Sequence, residues 1–114
     1  MKRLIWLRLF IVGALVALSN VFVFGHTGAK KRYEDADRRM NESYQQTLTK
    51  IDKEQQTSLR DDQRHWLRNR EAGAKFYKES GGKSTPEQRY WQYMLDSTEV
   101  QLRHLDTDWK SQTE

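Results

Sequence analysis

The chain contains no cysteine among its 114 residues. That excludes disulfide stapling, a thiolate zinc site, a cysteine nucleophile and lipid attachment behind a leader. Proline occurs once, at Pro86, and glycine six times, so residues that interrupt helices are scarce. No alternating run rich in Val, Ile and Thr follows residue 25, and no sheet is expected. A concentrated basic face is also missing. The formal charge is +4, but Lys2, Arg3, Arg8, Lys30, Lys31 and Arg32 all precede Tyr33. From Tyr33 onward 14 Lys and Arg stand against 16 Asp and Glu, a net of −2. Nucleic acid is therefore not an expected partner, and the interspersed charges read as solvated helical surface.

What is present begins with a leader. Residues 1–8 carry three positive charges and no negative one, and residues 9–18 are almost wholly apolar. This is the pattern of an export signal. Small residues at the −3 and −1 positions fit cleavage after Ser19, Gly25 or Ala29, and Gly25 is preferred because Phe22 and Phe24 then leave with the leader. An uncleaved anchor is the alternative. Residues 9–24 offer 16 positions, broken by Ser19 and Asn20, where a spanning helix needs about 20. Either way the positive flank leaves the remainder outside the cytoplasm. The expected organisation is a signal peptide or anchor over 1–25, a linker over 26–32 and a helical domain over 33–110.

Within that domain Tyr33, Ala36, Met40, Tyr44, Leu48 and Ile51 recur every three or four residues, and Leu59, Trp66, Leu67, Ala74 and Tyr77 continue the pattern. The period is helical. No Pro or Gly interrupts it before Gly73, so a single long helix is conceivable. Its apolar stripe would then lack a partner unless the chain dimerised. Asp52 with Gln55 three residues later forms a possible capping box, and a hairpin turning there is favoured. A constant index sum near 107 then pairs Asp37 with Arg70, Met40 with Leu67, Asn41 with Trp66, Tyr44 with Gln63 and Leu48 with Leu59.

Ser80-Gly81-Gly82-Lys83-Ser84 is a breaker. After it Thr85 suits an N-cap, Pro86 the first helical position and Gln88 a capping box. Tyr90, Tyr93, Met94, Leu102 and Leu105, with Val100 less well phased, mark a third helix. Trp91 and Trp109 are expected at its edges. The fold class is all-α, a small bundle of three helices.

Two phrases stand out because polar residues share the apolar stripe: Tyr33-x-x-Ala36-Asp37-x-x-Met40-Asn41-x-x-Tyr44, and Leu59-x-x-x-Gln63-Arg64-x-Trp66-Leu67-x-x-Arg70-Glu71. With Leu48 and Ile51 between them they resemble the N-terminal domain of the LprI-like lysozyme-inhibitor family, small exported helical domains. The resemblance covers about half of the chain beyond the leader. It implies a protein partner such as lysozyme, engaged by a loop or helix end that plugs the hydrolase cleft. The family has Asp where Glu71 stands, a cysteine close to Ala74 and another near Met94. Both cysteines are missing here, which is coherent with loss of one disulfide between the second and third helices. Such a crosslink is worth about 2–4 kcal/mol, so the third helix is expected to be held by packing alone.

Asp37, Asn41, Gln63 and Arg70 suggest either a binding cluster or a polar network that fixes helix register, and the network is the favoured reading. Tyr33, Tyr44 and Trp66 at helical spacing read as core. Arg60, Arg64 and Arg68 share one face, which Asp61 and Asp62 dilute. His26, His65 and His104 have no shared spacing, and no metal or cofactor is expected. No nucleophile sits by a recognisable base and no Gly-rich phosphate loop follows a strand, so enzymatic activity is not expected. The leading function is an exported protein-binding module of the cell envelope, lysozyme-inhibitor-like. The alternative is a membrane-tethered structural or assembly protein without inhibitory activity. The motif residues Tyr33, Ala36, Asp37, Met40, Asn41, Tyr44, Leu59, Gln63, Arg64, Trp66, Leu67 and Arg70 are expected to serve the fold.

Overall fold

The computed structural model describes residues 26–109. Three helices follow one another: α1 (His26–Leu48), α2 (Lys53–Glu79) and α3 (Pro86–His104), with a closing π-helical turn at Leu105–Trp109. The expected leader or anchor, residues 1–25, lies outside the described residues. Among the described helices none is long and apolar enough to cross a membrane.

The hairpin turn falls at residues 49–52. Asp52 is the N-cap of α2: its carboxylate accepts from Gln55 N at 2.8 Å, and the Gln55 side chain accepts from Asp52 N at 3.3 Å. Gln56 reaches back to the other side of the turn, where its amide donates to Leu48 O at 2.9 Å and Ile51 O at 3.3 Å. Orphan groups on both sides of the turn are thus satisfied within a few residues. Thr85 repeats the capping box with Gln88, and Pro86 occupies the first position of α3. The intervening loop needs left-handed backbone at Gly81, φ +79°, which a side chain would oppose.

One expectation is corrected at once. Residues 26–32, expected as a linker, are the first two turns of α1, and Ala29 there is buried. With a single glycine in that stretch, Gly28, and no proline, nothing prevents these residues from being helical.

α3 packs closely along both α1 and α2, while the backbones of α1 and α2 make no comparably close approach. Those two helices meet through long side chains instead. The apolar core gathers at the turn end, where Met40, Ile51, Leu59, Leu102, Leu105 and Trp109 are buried and Tyr44, Leu48 and Trp66 pack against them. Trp109 was expected at an edge. The wider π turn carries it onto the Leu105 side of the bundle, where it is 9% exposed. Val100 is exposed, in keeping with its poor phase.

Where the resemblance implies a disulfide in relatives, near Ala74 and Met94, this chain has close packing. Ala74 and Met94 are both buried. Beside them Tyr93 lies so close over Gly73 that a Cβ there would collide with its ring. Tyr93 also stacks on Tyr77, with centroids 5.1 Å apart and planes 24° from parallel.

Candidate functional site

Three motif residues, Tyr33, Asp37 and Trp66, converge on a fourth, Arg70. This buried side chain rises from α2, and its Nη1 donates to Asp37 Oδ1 on α1 at 2.7 Å and to Thr98 Oγ1 on α3 at 3.1 Å. The guanidinium carbon stands 4.5 Å from the Trp66 ring centre and 5.4 Å from that of Tyr33. A planar, weakly hydrated cation suits such a slot between aromatic rings. Arg70 Nε is buried and has no hydrogen-bond partner among the described residues. Thr98 donates onward to Met94 O at 2.6 Å. Nearer the turn a second layer forms, in which Gln101 Nε2 donates to Gln63 Oε1 at 2.9 Å and Gln63 Nε2 donates to Met40 Sδ at 2.9 Å.

The expected pairings are therefore met in part. Asp37 meets Arg70, and Leu48 and Leu59 share the core. Met40 meets Gln63 in place of Leu67, which is 40% exposed. Asn41 is exposed and donates to Asp37 Oδ2 at 3.5 Å, so its expected partnership with Trp66 is replaced by a bond within its own helix. The index sum drops from 107 to 103 between Asp37–Arg70 and Met40–Gln63, because α3 enters between the two helices and supplies Thr98 and Gln101. Ala36 is buried, Tyr44 half-buried against the core, and Arg64 exposed with Asp61 at 3.7 Å.

Toward the open end the Tyr33 ring meets Trp91 at 5.4 Å, and Trp91 meets Tyr90 edge-on at 4.9 Å. Lys30 Nζ lies 5.2 Å from the Trp91 ring centre. Tyr90 donates to Glu71 at 3.2 Å. Burial pushes the Tyr33 phenol up from its ordinary value; the Arg70 charge opposes this and Asp37 reinforces it. Burial and the neighbouring Glu71 do the same to Tyr90.

A second feature uses none of the twelve motif residues. A groove of about 830 Å³ runs over the outer side of α3. Gly28, Ala29 and Arg32 of α1 form one bank and Tyr77 of α2 the other. Its floor is Gln88, Arg89, Gln92, Tyr93 and Asp96, closed at one end by Ser84. Arg89 anchors the loop there, donating to Tyr77 O and Lys78 O at 2.9 Å each and to Ser84 O. The α2 C-terminus, where Ser80 N and Oγ already donate to Tyr77 O, is further capped by a cation from α3. The loop itself, residues 80–85, is exposed throughout.

The histidines do not assemble. His104 sits between Asp108 Oδ2 at 2.6 Å and Asp62 Oδ2 at 3.4 Å, while His65 Nδ1 lies 3.2 Å from Arg68. Among the described residues no group of three or more His, Cys, Asp or Glu is placed to hold a metal ion.

Comparison with known proteins gives one finding. The family described as Lysozyme inhibitor LprI matches residues 27–105, which span all three helices and the network around Arg70. No curated protein and no solved structure matches the chain.

Proposed function

The chain belongs to the lysozyme inhibitor LprI family, and from that premise we propose that it is a non-enzymatic, protein-binding module of the cell envelope that engages a lysozyme-like hydrolase. The family match over residues 27–105 carries the reading. In it the motif residues serve the fold, holding α1, α2 and α3 in register around Arg70, and the partner is met by residues outside the motif.

The loop over residues 80–85 is the element suited to a hydrolase cleft. It connects α2 and α3, Arg89 ties its Ser84 carbonyl to the end of α2, and Lys83 is exposed within it. Glycoside hydrolases carry paired carboxylates in the cleft, which an inserted ammonium complements. A braced loop also loses less freedom on docking than a slack one.

A lysozyme turnover assay with purified protein tests the reading. Inhibition is expected, and Lys83→Glu should weaken it about tenfold, or 1.4 kcal/mol, without lowering the melting temperature. Absence of inhibition across several lysozyme classes overturns the hydrolase partner. The second reading, a membrane-tethered assembly protein, draws on the apolar run over residues 9–24. N-terminal sequencing of protein recovered from the envelope separates the two: a start at His26 favours the released binder, and Met1 favours the tether.

A further inference from the structure

The groove over α3 has an unusual chemistry for a protein-docking surface. Among the described residues its only aliphatic side chain is Ala29. A docked amphipathic helix wants aliphatic pockets spaced along the groove, and this one offers stacked phenols, amides and a carboxylate instead. Arg89 is committed to three backbone carbonyls. Arg32, whose Nε donates to Gly28 O at 3.3 Å, and Asp96 leave one further charge of each sign, so beyond the carbonyl-bound Arg89 the lining offers no excess of either sign to a ligand.

Two hydrogen-bonding groups on the groove's lining residues have no protein partner among the described residues, the hydroxyl of Tyr77 and the carbonyl oxygen of Gln92, while the Tyr93 hydroxyl is packed against Gly73 of α2. Gln92 Nε2 donates to Asp96 Oδ1 at 3.0 Å, which orients both planar groups. Gln88, Gln92 and Asp96 recur every four residues, about 6 Å apart along the helix axis, close to the length of one pyranose unit.

We propose that this groove binds a linear, uncharged oligosaccharide. The Tyr77–Tyr93 stack offers aromatic surface to the C–H face of a sugar ring. Gln92 and Asp96, with the amide nitrogen of Gln88 whose oxygen is held at the Thr85 N-cap, supply planar donors and acceptors for neighbouring hydroxyl or acetamido groups. The volume lies within the range of small-ligand clefts, about 300–1,000 Å³. The site adjoins the loop of the hydrolase-binding reading at Ser84, but neither Lys83 nor the motif takes part.

The test is a titration of tetra-N-acetylchitotetraose into the ¹⁵N-labelled full chain, kept soluble in mild detergent and followed by NMR. Shifts are expected at Tyr77, Gln88, Gln92 and Asp96. Tyr77→Ala should weaken binding about tenfold, through lost stacking area. Gln92→Ala, at an exposed position that keeps the fold, should weaken it about fivefold. A parallel titration with unlabelled lysozyme separates the occupants. No shifts with the sugar, shifts confined to other surfaces, or unchanged affinity in both variants overturns the proposal. So does a groove perturbed by lysozyme and not by the sugar.

Discussion

Arg70 of α2 and Asp37 of α1 form an ion pair of 2.7 Å across 33 residues of sequence. Arg70 is 10% exposed at its side chain and Asp37 28%, so the pair sits at the inner edge of the solvent boundary. Removing one partner from a buried pair costs about 3–5 kcal/mol. The partial exposure of Asp37 lowers that figure, and Arg70→Ala is expected to cost about 2–3 kcal/mol. Lysine restores the charge but neither the fork nor the stacking on Trp66, so Arg70→Lys should recover less than half. Urea denaturation of the two variants measures both numbers. An unchanged midpoint for Arg70→Ala, with partner binding abolished, would move this cluster from the fold to the binding surface.

The two capping boxes make a separate prediction. Asp52 and Thr85 each accept from the backbone three residues on, at 2.8 and 3.2 Å. Asp52→Ala and Thr85→Ala should each destabilise by about 1 kcal/mol. Their effects should add, because the caps serve different helix starts and share no partner. Chemical denaturation of the single and double variants checks the sum.

These caps were legible in the sequence because capping is a local chemistry of four consecutive residues. The Asp37–Arg70 pair was legible for a related reason: once a turn is placed near Asp52, an antiparallel hairpin fixes which residues meet. Thr98 and Gln101 were not. An apolar-periodicity reading passes over polar positions, and these two become core residues only because α3 lies between α1 and α2. Leu67 illustrates the converse. It is apolar and near the stripe, yet α3 displaces the facing helix and leaves it at the rim. Trp109 was misplaced because a π turn changes the phase that a regular helix would continue. The groove has no sequence signature at all, since it is assembled from three helices and a loop, with small residues Gly28 and Ala29 making the space.

Alkaline pH should loosen the open end of the bundle before the core. Tyr33 and Tyr90 both have phenols raised above the ordinary value of 10.0, chiefly by burial. A raised folded-state value means the folded state holds the proton more tightly than the unfolded chain. The stabilisation is therefore complete below pH 10 and is lost as pH rises through the folded-state values. Tyr90→Phe and Tyr33→Phe should each remove part of this alkaline dependence while leaving stability near neutrality little changed. Absorbance titration of the phenolates, run beside thermal melts from pH 8 upward, supplies the comparison. Melts whose alkaline slope is identical in wild type and both variants would show that these phenols are not linked to folding.

The closing turn is expected to be part of the fold rather than an appendage. Leu105 is fully buried and Trp109 9% exposed, both in the cluster with Met40, Ile51 and Leu59. Ser43 Oγ donates to Asp106 Oδ1 at 2.6 Å, tying the turn to α1, and His104 bridges Asp62 of α2 to Asp108 within the turn. Without a disulfide, the core at this end depends on these contacts. Trp109→Ala should cost about 3 kcal/mol, the low end for truncating a buried aromatic, because part of the ring touches solvent. Leu105→Ala should cost about as much, through the cavity it leaves under a residue with no exposed surface. Ser43→Ala should cost under 1 kcal/mol, as an exposed hydrogen bond does. Thermal unfolding of the three variants gives the ranking. A Trp109→Ala protein as stable as wild type would mean that the core ends at Leu102 and that the turn only rests on it.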